Sequence, residues 1–271
     1  MAALGEVTGI LATLWPPSGA EEWDVVGLVS GRPRAEIRTI LLAVDAVRDT
    51  VEEAATVGAD LLLTHHPLLL RPVTSIAEDQ YKGALLGILV RADCALYSAH
   101  TNADVTIDGT SATLARALDL RNVAPIVAAA DGTTGLGRVG ELSQSTLLGD
   151  LARRIALLLP ATAGGVRVSG DYNQSVRRVA LCAGAGDSLL AHPAVTGADV
   201  YITADLRHHP AQEARQAAQL SGGAALIDVS HWASEWLWLD SAATALRAAL
   251  PGIDIRVSEI RTDPWDFMVV Q

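Results

Sequence analysis

At 271 residues with a formal net charge of −11 and a pI near 5.0, the chain is long enough for one large domain or two modest ones, and its acidity weighs against a phosphate-backbone binder. Half of it is hydrophobic, yet no run approaches the length of about 20 uninterrupted apolar residues that a membrane helix needs. The start lacks a basic region ahead of its apolar run and is interrupted by Glu6, so no secretory signal is expected.

Apolar periodicity predicts a strand over 40–44, a helix over 49–57, a strand over 60–64, a helix over 80–91, a strand over 95–98 and a helix over 109–118. That alternation is the pattern of βαβ units with a parallel sheet. Pro125 and the small-residue stretch 128–137 mark a change of element, which sets an N-terminal α/β domain over 1–127 and a C-terminal one over 128–271. An intertwined arrangement, with the last helix returning to the N-terminal residues, stays open. Beyond the boundary come a strand over 138–142, a helix over 146–157, strands over 178–182 and 200–203, and a helix over 210–220. A strand over 225–229, a Trp-rich helix from 231 to about 250 and a last strand over 253–257 complete the pattern. The halves share a feature: Leu63-Thr64-His65 and Ile202-Thr203-Ala204-Asp205 are each an apolar strand ending in Thr and then an acid or imidazole.

The chemistry-bearing residues gather at strand ends. His65 and His66 leave the run Leu61-Leu62-Leu63-Thr64 just before Pro67, and His100 and Asp104 follow the strand over 95–98. His231 and Glu235 open the Trp-rich helix, four residues apart and so on one face, with Ser230 placed as its cap. In an α/β sheet the carboxyl ends of parallel strands converge on one edge, which makes this set a metal-ligand inventory. Successive residues of an extended chain point to opposite sides, so His65 and His66 suit two ions better than one. Asp104 and Glu235 are the candidates to bridge such a pair at a typical separation of about 3.5–4 Å. The alternative is a scatter of hydrogen-bonding residues under loops. The expected class is therefore α/β, with two related α/β halves whose mostly parallel sheets face a shared metal cleft, or else a single doubly wound sheet.

Cys94 and Cys182 sit in apolar runs and read as buried thiols, which leaves nitrogen and oxygen ligands only and suits a cytoplasmic protein. His and carboxylate ligands accept zinc, iron, manganese or nickel. Ala183-Gly184-Ala185-Gly186-Asp187-Ser188 follows a strand, where backbone N–H groups can cradle phosphate; without a third glycine in register or a P-loop Lys it reads as a tight turn. Trp232, Trp236 and Trp238 read as core or subunit-interface anchors, although Trp232, beside His231, is also placed to stack on a flat base. Asp45 reads as a helix cap in preference to a carboxylate behind a ligand.

Six ordered motifs carry a resemblance across nearly the whole chain: Trp23-Asp24-Val25-Val26-Gly27-Leu28, Thr64-His65-His66-Pro67, His100-Thr101-Asn102-Ala103-Asp104, Gly135-Leu136-Gly137-Arg138-Val139-Gly140, Thr203-Ala204-Asp205-Leu206-Arg207-His208-His209 and His231-Trp232-Ala233-Ser234-Glu235. The chain resembles the dinuclear-metal proteins described as GTP cyclohydrolase 1 type 2 homologues, or as proteins like NGG-interacting factor three. The resemblance implies that His65, His66, Asp104, His231 and Glu235 hold two divalent ions, with Glu235 bridging, between two α/β domains of a subunit in a homohexameric ring. His100 then fits an added ligand or a group orienting Asp104. One departure stands out: Ala204 occupies the place of the family's usual Gly in Thr-Gly-Asp, which puts the roles of Asp205 and His209 in question if that Gly supplies a left-handed backbone.

The reading that follows is a metal-dependent hydrolase acting on a small molecule, a nucleotide or related phosphate compound, in which His100, Asp205 and His209 move protons or orient water. GTP ring opening is what the family label implies, although no residue here selects guanine. No direct nucleic-acid or membrane partner is expected. The alternatives are a metal-handling protein without turnover and a ring-shaped interaction scaffold.

Overall fold

The computed structural model describes residues 1–270. It comprises two compact units, Met1–Ala103 with Leu239–Thr262, and Asp104–Trp238 with residues 263–270. The chain divides at 103/104, inside the short helix Thr101–Asp104, and again within the long helix His231–Ala249, where the sequence reading sets one boundary at 127/128. The small-residue stretch that suggested that boundary lies inside the second unit, where the short strands Val127–Ala128 and Gly135–Leu136 pair as a hairpin.

The first unit is built on a five-stranded sheet in the order Asp254–Val257, Thr39–Ala43, Leu61–Thr64, Ala95–Ser98, Gly27–Ser30. The first four strands run parallel and the last pairs antiparallel at the edge. Every residue of Leu61–Thr64 is buried, as a continuous apolar run requires when helices cover both faces of a parallel sheet. Leu41, Leu62 and Leu96 pack against Val51 and Ala54 of helix Arg48–Thr56 and against Leu85 and Leu89 of helix Tyr81–Arg91. Helix Leu4–Leu14, which the sequence reading does not contain, buries Leu4, Val7 and Leu11 on one face. Its Glu6, read as an interruption, accepts the Ala3 N–H at 2.8 Å and closes the first turn.

The second unit carries a six-stranded sheet in the order Arg167–Ser169, Ala225–Val229, Val200–Ala204, Ser175–Ala185, Arg138–Leu147, Arg121–Ala124. Only the three strands from Ala225–Val229 to Ser175–Ala185 are mutually parallel, and the outer strands add antiparallel, so the sheet is mixed. Ala180, Cys182, Tyr201 and Leu226 form its core with Leu189 and Val195. No helix among the described residues is long and apolar enough to cross a membrane.

Each parallel core ends in a polar edge. In the first unit Thr64 and Ser98 are register partners, so the chain leaves two neighbouring strands at one edge and delivers His65, His66 and His100 there. In the second, Ala185, Ala204 and Val229 are aligned across three strands, and Asp205 and His231 emerge just beyond them.

Candidate metal centre

In the first unit His65, His66 and His100 each offer a ring nitrogen within 4.8 Å of the other two. Their ring centroids lie 5.1, 5.2 and 5.4 Å apart. Strand Leu61–Thr64 ends just before the two adjacent imidazoles, and both lie in this cluster.

Every δ nitrogen of this cluster faces an oxygen acceptor. His65 Nδ1 meets the Ala99 carbonyl at 2.8 Å, His66 Nδ1 meets Asp45 Oδ1 at 2.7 Å, and His100 Nδ1 meets Asp24 Oδ2 at 3.0 Å. An imidazole donating from Nδ1 carries its basic lone pair on Nε2, and such a partner both fixes the ring and raises its basicity as a ligand. The acceptors are themselves held. Asp24 is buried and takes the Thr101 hydroxyl at 2.6 Å and the Thr101 N–H at 3.2 Å. Burial alone would raise its pKa, but the Thr101 and His100 hydrogen bonds outweigh burial and hold it below the usual aspartate value. Asp45 is bound through Oδ2 by the Thr262 hydroxyl, so it backs His66 and is not the helix cap the sequence suggests. At that helix start Val47 is the capping residue, and Thr50, three residues on, accepts its N–H at 3.1 Å.

In the second unit His231 Nδ1 lies 2.7 Å from Asp205 Oδ2, and Nε2 lies 3.0 Å from Glu235 Oε1. The four-residue spacing puts both side chains on one face of helix His231–Ala249, and Ser230 caps it by accepting the Ala233 N–H at 3.2 Å. Burial disfavours charge on His231, yet the Glu235 and Asp205 carboxylates outweigh it and raise the imidazole pKa to about 11. The His231 ring thus stands between the two acids, one on each nitrogen.

Ala204 lies buried in a regular strand, and the left-handed turn falls on Asp205 at φ 55°, a residue type that tolerates it. Asp205 thus reaches His231 without a glycine. Gly184, in the stretch read as a tight turn, is the last-but-one residue of strand Ser175–Ala185 and has φ +71°. A Cβ there would stand 2.3 Å from Glu235 Oε1 and 3.3 Å from His231 Nε2, so glycine keeps open the space in front of this pair. Its peptide is pinned on both sides, by its N–H to Ser234 Oγ at 2.9 Å and by the Thr203 hydroxyl to its carbonyl at 3.1 Å.

Asp104 is half-buried and accepts the Thr110 hydroxyl at 2.5 Å. The loop after it is clamped by buried Arg138, which donates to the carbonyls of Thr106, Gly135 and Gly137 at 2.6, 2.6 and 2.7 Å. His209 is exposed at the start of helix His208–Ser221, its ring 5.2 Å from that of His208. Trp232 is buried with its ring 6.3 Å from that of Trp236, so it packs inside the protein and is not available to stack on a base. Cys94 and Cys182 are buried without a disulfide, and burial pushes both thiols up to about 12.

The residues the sequence reading missed are those behind the ligands: Asp24 with Thr101, Thr262 behind Asp45, and Gly184. Asp24 lies within a motif but offers no spacing to His100, and nothing local announces that a glycine at a strand end faces a helix carboxylate. The donor set fits a divalent ion. Imidazoles locked by oxygen partners at Nδ1, and a carboxylate whose foreground is kept clear by a glycine, are what borderline cations take.

An α/β fold whose sheet edges carry imidazole and carboxylate donors, each imidazole steered by an oxygen acceptor, defines a candidate divalent-metal protein. The chain belongs to the Duf34/NIF3 (NGG1p interacting factor 3) family, whose model matches residues 2–264. It is 48% identical to a Streptomyces coelicolor protein named GTP cyclohydrolase 1 type 2 homolog, over 98% of this chain and 94% of that one. Among solved structures, a Staphylococcus aureus protein superposes with TM-score 0.88 at 27% identity, covering 98% of this chain and 99% of its own. A Bacillus cereus protein related to NIF3 has the same fold, with TM-score 0.88 over 98% of this chain and 99% of its own at 23% identity.

Proposed function

We propose that this protein is a divalent-metal-dependent hydrolase acting on a nucleotide or related phosphate compound. Its ligand sets are His65, His66 and His100 on the first unit, and Asp104, His231 and Glu235 on the second. The observation that carries the reading is the anchoring of the histidine cluster: three imidazoles, each tied at Nδ1 to a different oxygen, each offering a ring nitrogen within 4.8 Å of the other two. A core needs no such set, because neutral imidazoles packed for stability have no reason to share one tautomer and one focus.

Divalent ions bound there supply Lewis acidity and an acidic water near neutral pH. The protein's own groups do the rest. Asp24 and Asp45 orient His100 and His66, Asp205 orients His231, and Glu235 would hold a cation with the carboxylate that now faces His231 Nε2. His100 and Asp205 thus act here as ligand and orienting group. His209, exposed on its helix, is the remaining candidate for moving a proton to or from substrate. The GTP cyclohydrolase-type name of the relatives makes GTP the first compound to try. The reading keeps the two ions per chain and the hexameric ring that the resemblance implies, and the cytoplasmic location that the two reduced cysteines suit.

The test is a panel of nucleotides and phosphoesters incubated with purified protein, with and without chelator. Metal-dependent turnover that Glu235→Gln abolishes supports the reading. Tight metal binding with no turnover of any compound turns it into a metal-handling protein, and GTP processing that survives metal removal sinks it.

A further inference from the structure

Trp23 stands apart from most of the tryptophans of this chain. Trp15, Trp232 and Trp238 are buried, whereas Trp23 is 61% exposed. Its indole meets the His100 ring at 5.9 Å between centroids, with the planes inclined by 76°. A loosely tethered surface aromatic would call for no explanation, but this one is built into position. The next residue, Asp24, is the buried carboxylate that holds His100 and Thr101. The Asp24 N–H donates to the Glu21 carbonyl at 2.9 Å, and the Glu21 N–H donates to the Thr101 hydroxyl at 3.0 Å. The turn carrying Trp23 is thus stapled to the strand end that delivers His100, and the same hydrogen bonds that aim the imidazole anchor the backbone that presents the indole beside it.

A large flat π-surface, carried on an anchored turn and left open to solvent next to a ligand cluster, is the arrangement that stacks a planar ring, because every heteroaromatic base offers a π-face. The role that the sequence offered to Trp232 falls to a residue that is accessible. We propose that Trp23 is a specificity-determining residue that stacks the base of the substrate, a planar heteroaromatic ring of nucleobase type, beside His65, His66 and His100. This inference rests on the nucleotide reading of the preceding section and names the residue that recognises the base.

The test uses full-length, metal-loaded protein and two probes, GMP and base-free ribose 5-phosphate, titrated calorimetrically into wild type, Trp23→Ala and Trp23→Phe. Loss of one stacked base should weaken GMP binding in Trp23→Ala by roughly 5- to 150-fold. Trp23→Phe should recover most of it, ribose 5-phosphate should bind all three proteins alike, and metal content should be unchanged. GMP binding to Trp23→Ala at wild-type strength overturns the proposal while leaving the nucleotide reading intact. So does an equal loss of both probes, or a changed assembly mass by light scattering, which would make Trp23 a subunit contact. A wild-type protein that binds neither probe removes the nucleotide reading and this inference with it.

Discussion

Gly184→Ala separates metal binding from folding. The substitution meets two costs. A left-handed φ of +71° disfavours any residue with a Cβ, by about 1–2 kcal/mol. The new methyl also stands 2.3 Å from Glu235 Oε1, so about 1 Å of movement is needed to restore ordinary contact. The peptide cannot retreat, because Ser234 and Thr203 hold it from both sides. The Glu235 carboxylate must swing instead, and a ligand displaced by that much lies far outside the tolerance of about 0.2 Å for a coordination bond. Gly165→Ala is the control: its φ is +57° with nothing within 4 Å of the added Cβ, so it meets only the backbone cost. Denaturation of the metal-free proteins should show Gly165→Ala destabilised by about 1–2 kcal/mol and Gly184→Ala by more, because it also moves Glu235 off His231. Competition against a chromophoric chelator should show Gly184→Ala alone losing metal affinity, by at least the about 10- to 100-fold typical of disturbing a ligand's support. Equal metal affinity in the two variants would refute the placement of Glu235 as a ligand.

Three further outcomes follow from the site. Asp45→Asn and Asp24→Asn should each cost about 10- to 100-fold in metal affinity, because His66 and His100 lose the carboxylates at Nδ1; unchanged chelator competition would contradict the anchoring argument. In the metal-free protein, the His231 pKa raised from 6.5 to about 11 adds stability that is full below pH about 6.5 and fades as pH rises toward about 11. Metal must displace that proton, so calorimetry in buffers of different ionisation enthalpy should detect its release, absent in His231→Ala. Finally, with both thiols pushed up to about 12, Cys94 and Cys182 should react with a disulfide reagent at pH 8 only after unfolding, whereas fast native reaction of either would place it at the surface.

The sequence made the parallel cores legible because their strands are unbroken apolar runs: Leu61-Leu62-Leu63 and Val200–Ala204 could hardly be anything but buried strands. The residues that leave those strands, His65, His66 and Asp205, were visible for the same reason. What stayed hidden was non-local. Asp24 lies 76 residues from His100 and Thr262 lies 217 from Asp45, so neither contact leaves a periodic trace. Helix Leu4–Leu14 escaped because Glu6 looked like an interruption and proved to be part of its first turn. The mixed sheet of the second unit escaped because strand direction at an edge is set by pairing, which composition does not encode.

Whether these imidazole and carboxylate sets hold divalent cations is decided by elemental analysis of the purified protein. The account predicts two divalent ions per chain, with a reduced content in both His65→Ala and Glu235→Gln while the circular dichroism of the fold is retained. Protein that takes up no ion after incubation with zinc, iron, manganese or nickel, or variants that keep the wild-type stoichiometry, would contradict it.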